Sequence, residues 1–192
     1  MMIFFEALAV IFALAYLYFA MKQNIICWYA AFLSTSIYIF LYWDVSLYME
    51  SLLNFYYLTM AVYGWRQWNK RKKEKYSSIT VWSMKEHVLI ILLIILLSFS
   101  SGLFLSHSDA VRPYLDSFTT WGSVITTYMV TQKVLSNWLY WIAINSVGIF
   151  LNLDRELYLT VLLLLSYQVI SILGYFEWRK TYYEQLLSLI HI

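Results

Sequence analysis

Residues 88–104 read VLIILLIILLSFSSGLF, a run without a single charge. A helix needs about 20 mostly apolar residues to cross the hydrocarbon core of a bilayer, where only a helix or a closed barrel satisfies its own backbone. With its flanks the stretch is long enough, and its aliphatic surface offers no polar face to turn towards water. It is read as a lipid-facing crossing, and the chain as an all-α integral membrane protein. Working outward, three comparable stretches precede it, at 3–20, 25–43 and 46–66, and three follow, at 114–131, 137–153 and 157–177, with the middle crossing taken as 87–105. The expectation is seven transmembrane helices. Composition agrees: 62% of the 192 residues are hydrophobic and 12% charged, against about a quarter charged in a soluble domain. The first run begins beside Glu6 without a basic leader and is read as a retained span rather than a cleaved signal. Cys27 is the single cysteine, which excludes an internal disulfide and any multi-cysteine metal site.

The basic residues set the orientation. Arg66, Lys70, Arg71, Lys72, Lys73 and Lys75 follow the third span and are expected in the cytoplasm by the positive-inside bias. Alternating outward from them, Lys22, Lys85, Lys133, Arg179 and Lys180 fall inside as well, and Arg112 and Arg155 outside. The N-terminus is then outside and the C-terminus cytoplasmic, and Ser78 and Ser108 stand on opposite sides of the fourth crossing.

Sliding the sequence on itself until Trp28 falls on Trp138 brings two halves into register without a gap. In that register Ser36 meets Ser146, Ile39-Phe40-Leu41 meet Ile149-Phe150-Leu151, and Asp44 meets Asp154. Tyr57 meets Tyr167, Gly64 meets Gly174, and Trp68 meets Trp178. Shared hydrophobicity does not produce matches of Trp, Gly and Asp. The chain divides as 1–68, a first three-helix repeat; 69–112, a basic loop and connector helix; 113–180, a second repeat; and 181–192, a tail. Because a repeat of three crossings is odd, the connector crossing restores its orientation, and the repeats are parallel. Paired repeats with a substrate site near the bilayer midplane are a transporter pattern.

Residues 137–152, NWLYWIAINSVGIFLN, carry the densest candidate site. Trp138, Trp141, Asn145, Gly148 and Asn152 recur at three or four residues and share one helical face. An amide at the depth of Asn145 is costly unless it meets a polar partner. The face reads as an aromatic and amide site for a flat polar ligand, or as interhelical hydrogen bonding with tryptophan anchors. Asn54 and Tyr57 in the third span, Tyr167 and Gln168 in the seventh, and Thr127 in the threonine-rich fifth join it as candidate binding residues, with bundle packing the alternative for each. Asn54 is placed near the middle of its span. Asp44 and Asp154 are read as cation-attracting groups of an outer vestibule or as turn residues capping the next helix. Gly64 and Gly174, each four residues before a tryptophan, are read as close helix contacts. His87, His107 and His191 form no metal-ligand spacing, and no acidic cluster appears, so neither enzyme chemistry, a metal nor a cofactor is expected. Glu50 is the one acid read as lying at membrane depth, which points to uniport without ion coupling.

The stretches 113–145, PYLDSFTTWGSVITTYMVTQKVLSNWLYWIAIN, 153–160, LDRELYLT, and 173–178, LGYFEW, with YGWRQW at 63–68 in the first half, carry a resemblance over essentially the whole chain. It resembles the Pnu family of vitamin transporters, most closely the nicotinamide riboside branch known as PnuC. The resemblance implies a three-plus-one-plus-three helix fold, a homotrimer in a bacterial inner membrane, and Trp138, Trp141 and Asn145 as pocket residues. It also implies facilitated diffusion made one-way by cytoplasmic phosphorylation of the arriving vitamin. Some relatives have tryptophan where this chain has Ile142, and thiamine stays open beside nicotinamide riboside. Both are cations on an aromatic ring, which a Trp and Tyr cage attracts by about 0.5–2 kcal/mol. The partners expected are that cationic small molecule and the bilayer, with no nucleic acid. A non-transporting membrane assembly subunit is the reading from another class.

Overall fold

The computed structural model describes residues 2–73, 79–107 and 112–190. Ser78, Ser108, Lys75 and His191 lie outside the described residues. Within them are seven helices: α1 (Met2–Met21), α2 (Ile26–Asp44), α3 (Tyr48–Lys73), α4 (Met84–Leu105), α5 (Pro113–Thr131), α6 (Asn137–Asp154) and α7 (Tyr158–Ile190). Each expected apolar stretch is a helix. Four of them, α1, α2, α4 and α7, are long and apolar enough to cross a membrane by length and composition. The other three hold Asn54, Asn145, the threonine-rich stretch 119–131 and the start of the basic run.

Local chemistry explains the boundaries. Ser83 accepts from the Glu86 backbone N–H while the Glu86 carboxylate accepts from the Ser83 N–H, a capping box that starts α4. Pro113 starts α5, where its missing N–H costs nothing. Helices α1, α2, α5 and α6 end on left-handed residues, Gln23, Ser46, Lys133 and Glu156, with φ between 52° and 61°. At all four the next N–H reaches back five residues, as Asn24 to Phe19 and Val134 to Met129 do. This is the Schellman closure, which glycine usually provides. Helices α3 and α7 run past their apolar stretches, to Lys73 and to Ile190 through the segment read as a tail. Gln185, in that extension, accepts from the Ile79 N–H and ties the helix to the loop before α4.

Six helices close a ring. α1 packs on α2, α2 on α3, α3 on α5, α5 on α6, α6 on α7, and α7 back on α1; the backbone of α4 approaches α5 alone among the described helices. Outside the ring, Leu89, Leu92, Leu96, Phe99 and Phe104 of α4 are exposed, a contiguous apolar surface of the kind that faces lipid.

The C-terminal ends of α1, α3 and α5 meet at one end of the bundle, together with the part of α7 that holds Trp178. There Trp68 Nε1 donates to Val130 O at 3.2 Å, and Trp178 Nε1 donates to Ala20 O at 3.1 Å. A β-bridge between Thr80 and Val134 brings the start of α4 to the same end.

Candidate functional site

The two glycine–tryptophan pairs build that end. The faces of Gly64 and Gly174 leave room for the indoles of Trp28 and Trp138, which a side chain at either glycine would overlap. Trp28 meets Trp68 edge-on at 5.3 Å, Trp138 meets Trp178 at 5.4 Å, and Trp68 and Trp178 lie 6.2 Å apart. All four are at most 3% exposed. Four indoles therefore plug one end of the ring. The two indole–carbonyl bonds each cross between the halves of the chain, joining α3 to α5 and α7 to α1.

The candidate face of α6 turns into the bundle. Trp138 and Asn145 are buried, Trp141, Gly148 and Asn152 half-buried or better, and Leu139, Ser146 and Phe150 on the other side exposed. Trp138 is part of the plug, held between Gly174 and Trp178, while Trp141 packs against the plug's margin. Two amides form a layer between α6 and α7. Asn145 Nδ2 donates to Ser171 Oγ at 3.4 Å, and Gln168 Nε2 donates to Ser146 Oγ at 3.3 Å. Gln168 Oε1 is buried without a hydrogen-bond partner, as is the hydroxyl of Thr126 on α5. A buried acceptor left unsatisfied costs about 1–3 kcal/mol, so such atoms mark places where a polar ligand gains by binding.

The remaining candidates divide. Tyr57 comes within reach of Ser123 and Tyr16, and Tyr167 within reach of Tyr38 and Tyr42, which gives the ring a tyrosine-rich interior. Thr127 is buried, with its hydroxyl donating to Ser123 O at 2.7 Å along its own helix. Asn54 donates to Glu50 O at 2.9 Å and is half-buried. Since α3 starts at Tyr48, Asn54 stands in its second turn, and Glu50 is exposed in its first turn. At the same end of the bundle, Arg112 binds Asp154 at 2.6 and 3.1 Å, and Arg155 binds Asp116 at 2.5 Å. Asp154 thus serves an ion pair, a role the vestibule and capping readings did not include.

Reading the sequence missed Lys133 and the tyrosines. Lys133 registers there as a topology marker, yet it is 4% exposed, left-handed, and sits 4.6 Å above the Trp68 ring. Burial pushes its ammonium down to about 8, and Arg71 nearby adds to the effect. The repeat register was the available signal for Trp28, Trp68 and Trp178. Nothing in the sequence distinguished Tyr16, Tyr38 and Tyr42 from the other tyrosines.

A family model described as nicotinamide mononucleotide transporter matches residues 3–180. The crystal structure of the vitamin B3 transporter PnuC is similar to this chain, with a TM-score of 0.76 at 20% identity, covering 94% of this chain and 83% of that one. Identity at this level speaks to the shared fold.

Proposed function

The chain belongs to the nicotinamide mononucleotide transporter family, and from that premise we propose that it carries the unphosphorylated vitamin form, nicotinamide riboside, by facilitated diffusion. The observation that carries this reading is the chemistry of the interior candidates. Trp138, Trp141, Asn145, Asn54, Tyr57, Tyr167, Gln168 and Thr127 are aromatic, amide or hydroxyl groups, without a lysine or arginine to match a phosphate dianion. A pyridinium ring gains from Trp and Tyr faces. A carboxamide and ribose hydroxyls suit Asn145, Gln168 and their serine partners. A phosphate at that depth would be desolvated without a counter-charge, which is costly.

Supporting the parallel three-plus-one-plus-three arrangement are features that recur in the register pairing Trp28 with Trp138. These are the left-handed closures at Gln23 and Lys133, those at Ser46 and Glu156, the glycine–indole pairs, and the crossed indole bonds. α4 stands outside the ring, as a connector would. The exposed position of Glu50 favours uniport, since a proton relay ordinarily runs through a buried carboxylate. Basic residues at the tryptophan end support placing that end in the cytoplasm of a bacterial inner membrane, with phosphorylation there trapping the cargo. The homotrimer rests on the family resemblance.

Uptake into proteoliposomes tests the proposal. Labelled nicotinamide riboside should equilibrate without a sodium or proton gradient, while nicotinamide mononucleotide and thiamine stay outside. Entry of the mononucleotide at a comparable rate, or a strict requirement for either ion, would overturn it.

A further inference from the structure

Beyond the tryptophan plug the bundle holds a cavity of about 450 Å³, lined by Lys22, Gln23, Asn24, Ile25, Trp68, Lys133, Thr181 and Gln185. Its size falls in the range of about 300–1,000 Å³ typical of small-molecule sites. Two ammonium groups reach it, and among the described residues its lining includes no carboxylate. Two of its three amides have their acceptor ends engaged: Asn24 Oδ1 accepts from the Ile26 N–H at 3.0 Å and Gln185 Oε1 from the Ile79 N–H at 3.1 Å. The Thr181 hydroxyl accepts from Gln23 Nε2 at 3.1 Å and donates to Glu177 O at 3.1 Å. With two ammonium groups in its lining the cavity is positive, and the proximity of Arg71 to Lys133 adds to the potential. This is the opposite chemistry to the ring interior, where the candidates are neutral.

We propose that this cavity is a binding site for a phosphate monoester of nucleoside size, with Lys133 and Lys22 taking the phosphate and Gln23, Asn24 and Thr181 the sugar. The assignment rests on the transport reading only for its purpose. If the cargo is a cationic riboside trapped by phosphorylation, the plug end meets its product, and a site there that holds the phosphorylated form and not the cation reports accumulation back to the carrier. Lys22 must share its ammonium, which lies 2.9 Å from Glu177, with the two side chains 46% and 43% exposed. An exposed ion pair of this kind adds little to stability and yields readily to a dianion.

The test is calorimetric titration of the purified protein in nanodiscs, with nicotinamide mononucleotide, inorganic phosphate and nicotinamide riboside as separate probes. The mononucleotide should bind at least tenfold more weakly to Lys133→Gln and to Lys22→Gln, and Gln185→Glu should abolish its binding by adding a negative charge. Riboside binding should be unchanged in all three. Lys22→Gln and Gln185→Glu alter partly exposed side chains and keep the test open if Lys133→Gln fails to fold. Nanodiscs of phosphatidylcholine alone and with phosphatidylglycerol separate the two sources of phosphate. Mononucleotide affinity that is equal in both supports the soluble ligand; affinity lost to phosphatidylglycerol overturns it in favour of a lipid headgroup. Mononucleotide binding that ignores all three substitutions, or that is absent in the parent, also overturns it. Riboside binding without mononucleotide binding would sink this inference and leave the transport reading standing; the reverse result would do the opposite.

Discussion

Replacing Gly174 by alanine places a methyl carbon 2.8 Å from Cδ2, Cε2 and Cε3 of Trp138. Carbon atoms pack at about 3.5–4.0 Å, so about 0.7–1.2 Å must be found. The three atoms belong to the fused part of the indole, which has no flexible end to swing away. Trp138 is 0% exposed and meets Trp178 edge-on at 5.4 Å, so the ring has nowhere to retreat. The strain falls on the spacing of α6 and α7. Overpacking of this kind costs about 1–3 kcal/mol. Thermal unfolding of the purified protein in detergent measures it directly, and Trp138→Leu supplies the control. In that background the methyl has room, so Gly174→Ala should cost little, giving a coupling of about 1–3 kcal/mol between the two positions. The reasoning fails if Gly174→Ala melts with the parent. It fails equally if the penalty is undiminished in the Trp138→Leu background, since the glycine would then be needed for something other than the indole.

Three more outcomes are expected. Asn145→Leu should assemble normally yet bind nicotinamide riboside about 5- to 150-fold more weakly, from about 1–3 kcal/mol for a polar ligand group left unpaired; equal affinity by titration would return Asn145 to the role of interhelical glue with Ser171. Cysteines replacing Lys85 and Ser106, exposed at opposite ends of α4, should be labelled by a membrane-impermeant maleimide from opposite faces of the membrane, with buried Cys27 silent; labelling of both from one face would remove α4 as a crossing. The depressed ammonium of Lys133 makes the unfolded chain bind the extra proton between about pH 8 and the ordinary lysine range. Stability should therefore rise with pH across that window; Lys133→Met should lack the rise, and parallel profiles for the two proteins would refute a buried, charge-strained lysine.

Much of this was legible in the chain. The seven helices follow from seven apolar stretches, because a membrane helix is specified by local composition and length rather than by partners. The register that pairs Trp28 with Trp138 was visible because Trp, Gly and Asp at matched positions are not interchangeable with other hydrophobic residues. The inward turn of the α6 face was legible for a related reason, a helical period read along one segment. Depth is a different matter: Asn54 and Glu50 stand in the first two turns of α3, and hydropathy averaged over a span does not set the depth of a single residue.

By itself, then, the sequence determined what each segment is and which face of it seeks company, since both depend on residues within a few turns of each other. Only the tertiary structure decided who the company is. Trp138 is read from its own helix as a pocket residue or an anchor, and the structure seats its indole on Gly174 of the next helix. Lys133 could have been a solvated loop residue, and a left-handed turn lays it over Trp68 from the other half of the chain. Such pairings arise from helices closing a ring, and charge, burial and cavity chemistry at those positions are properties of the ring rather than of any one of its helices.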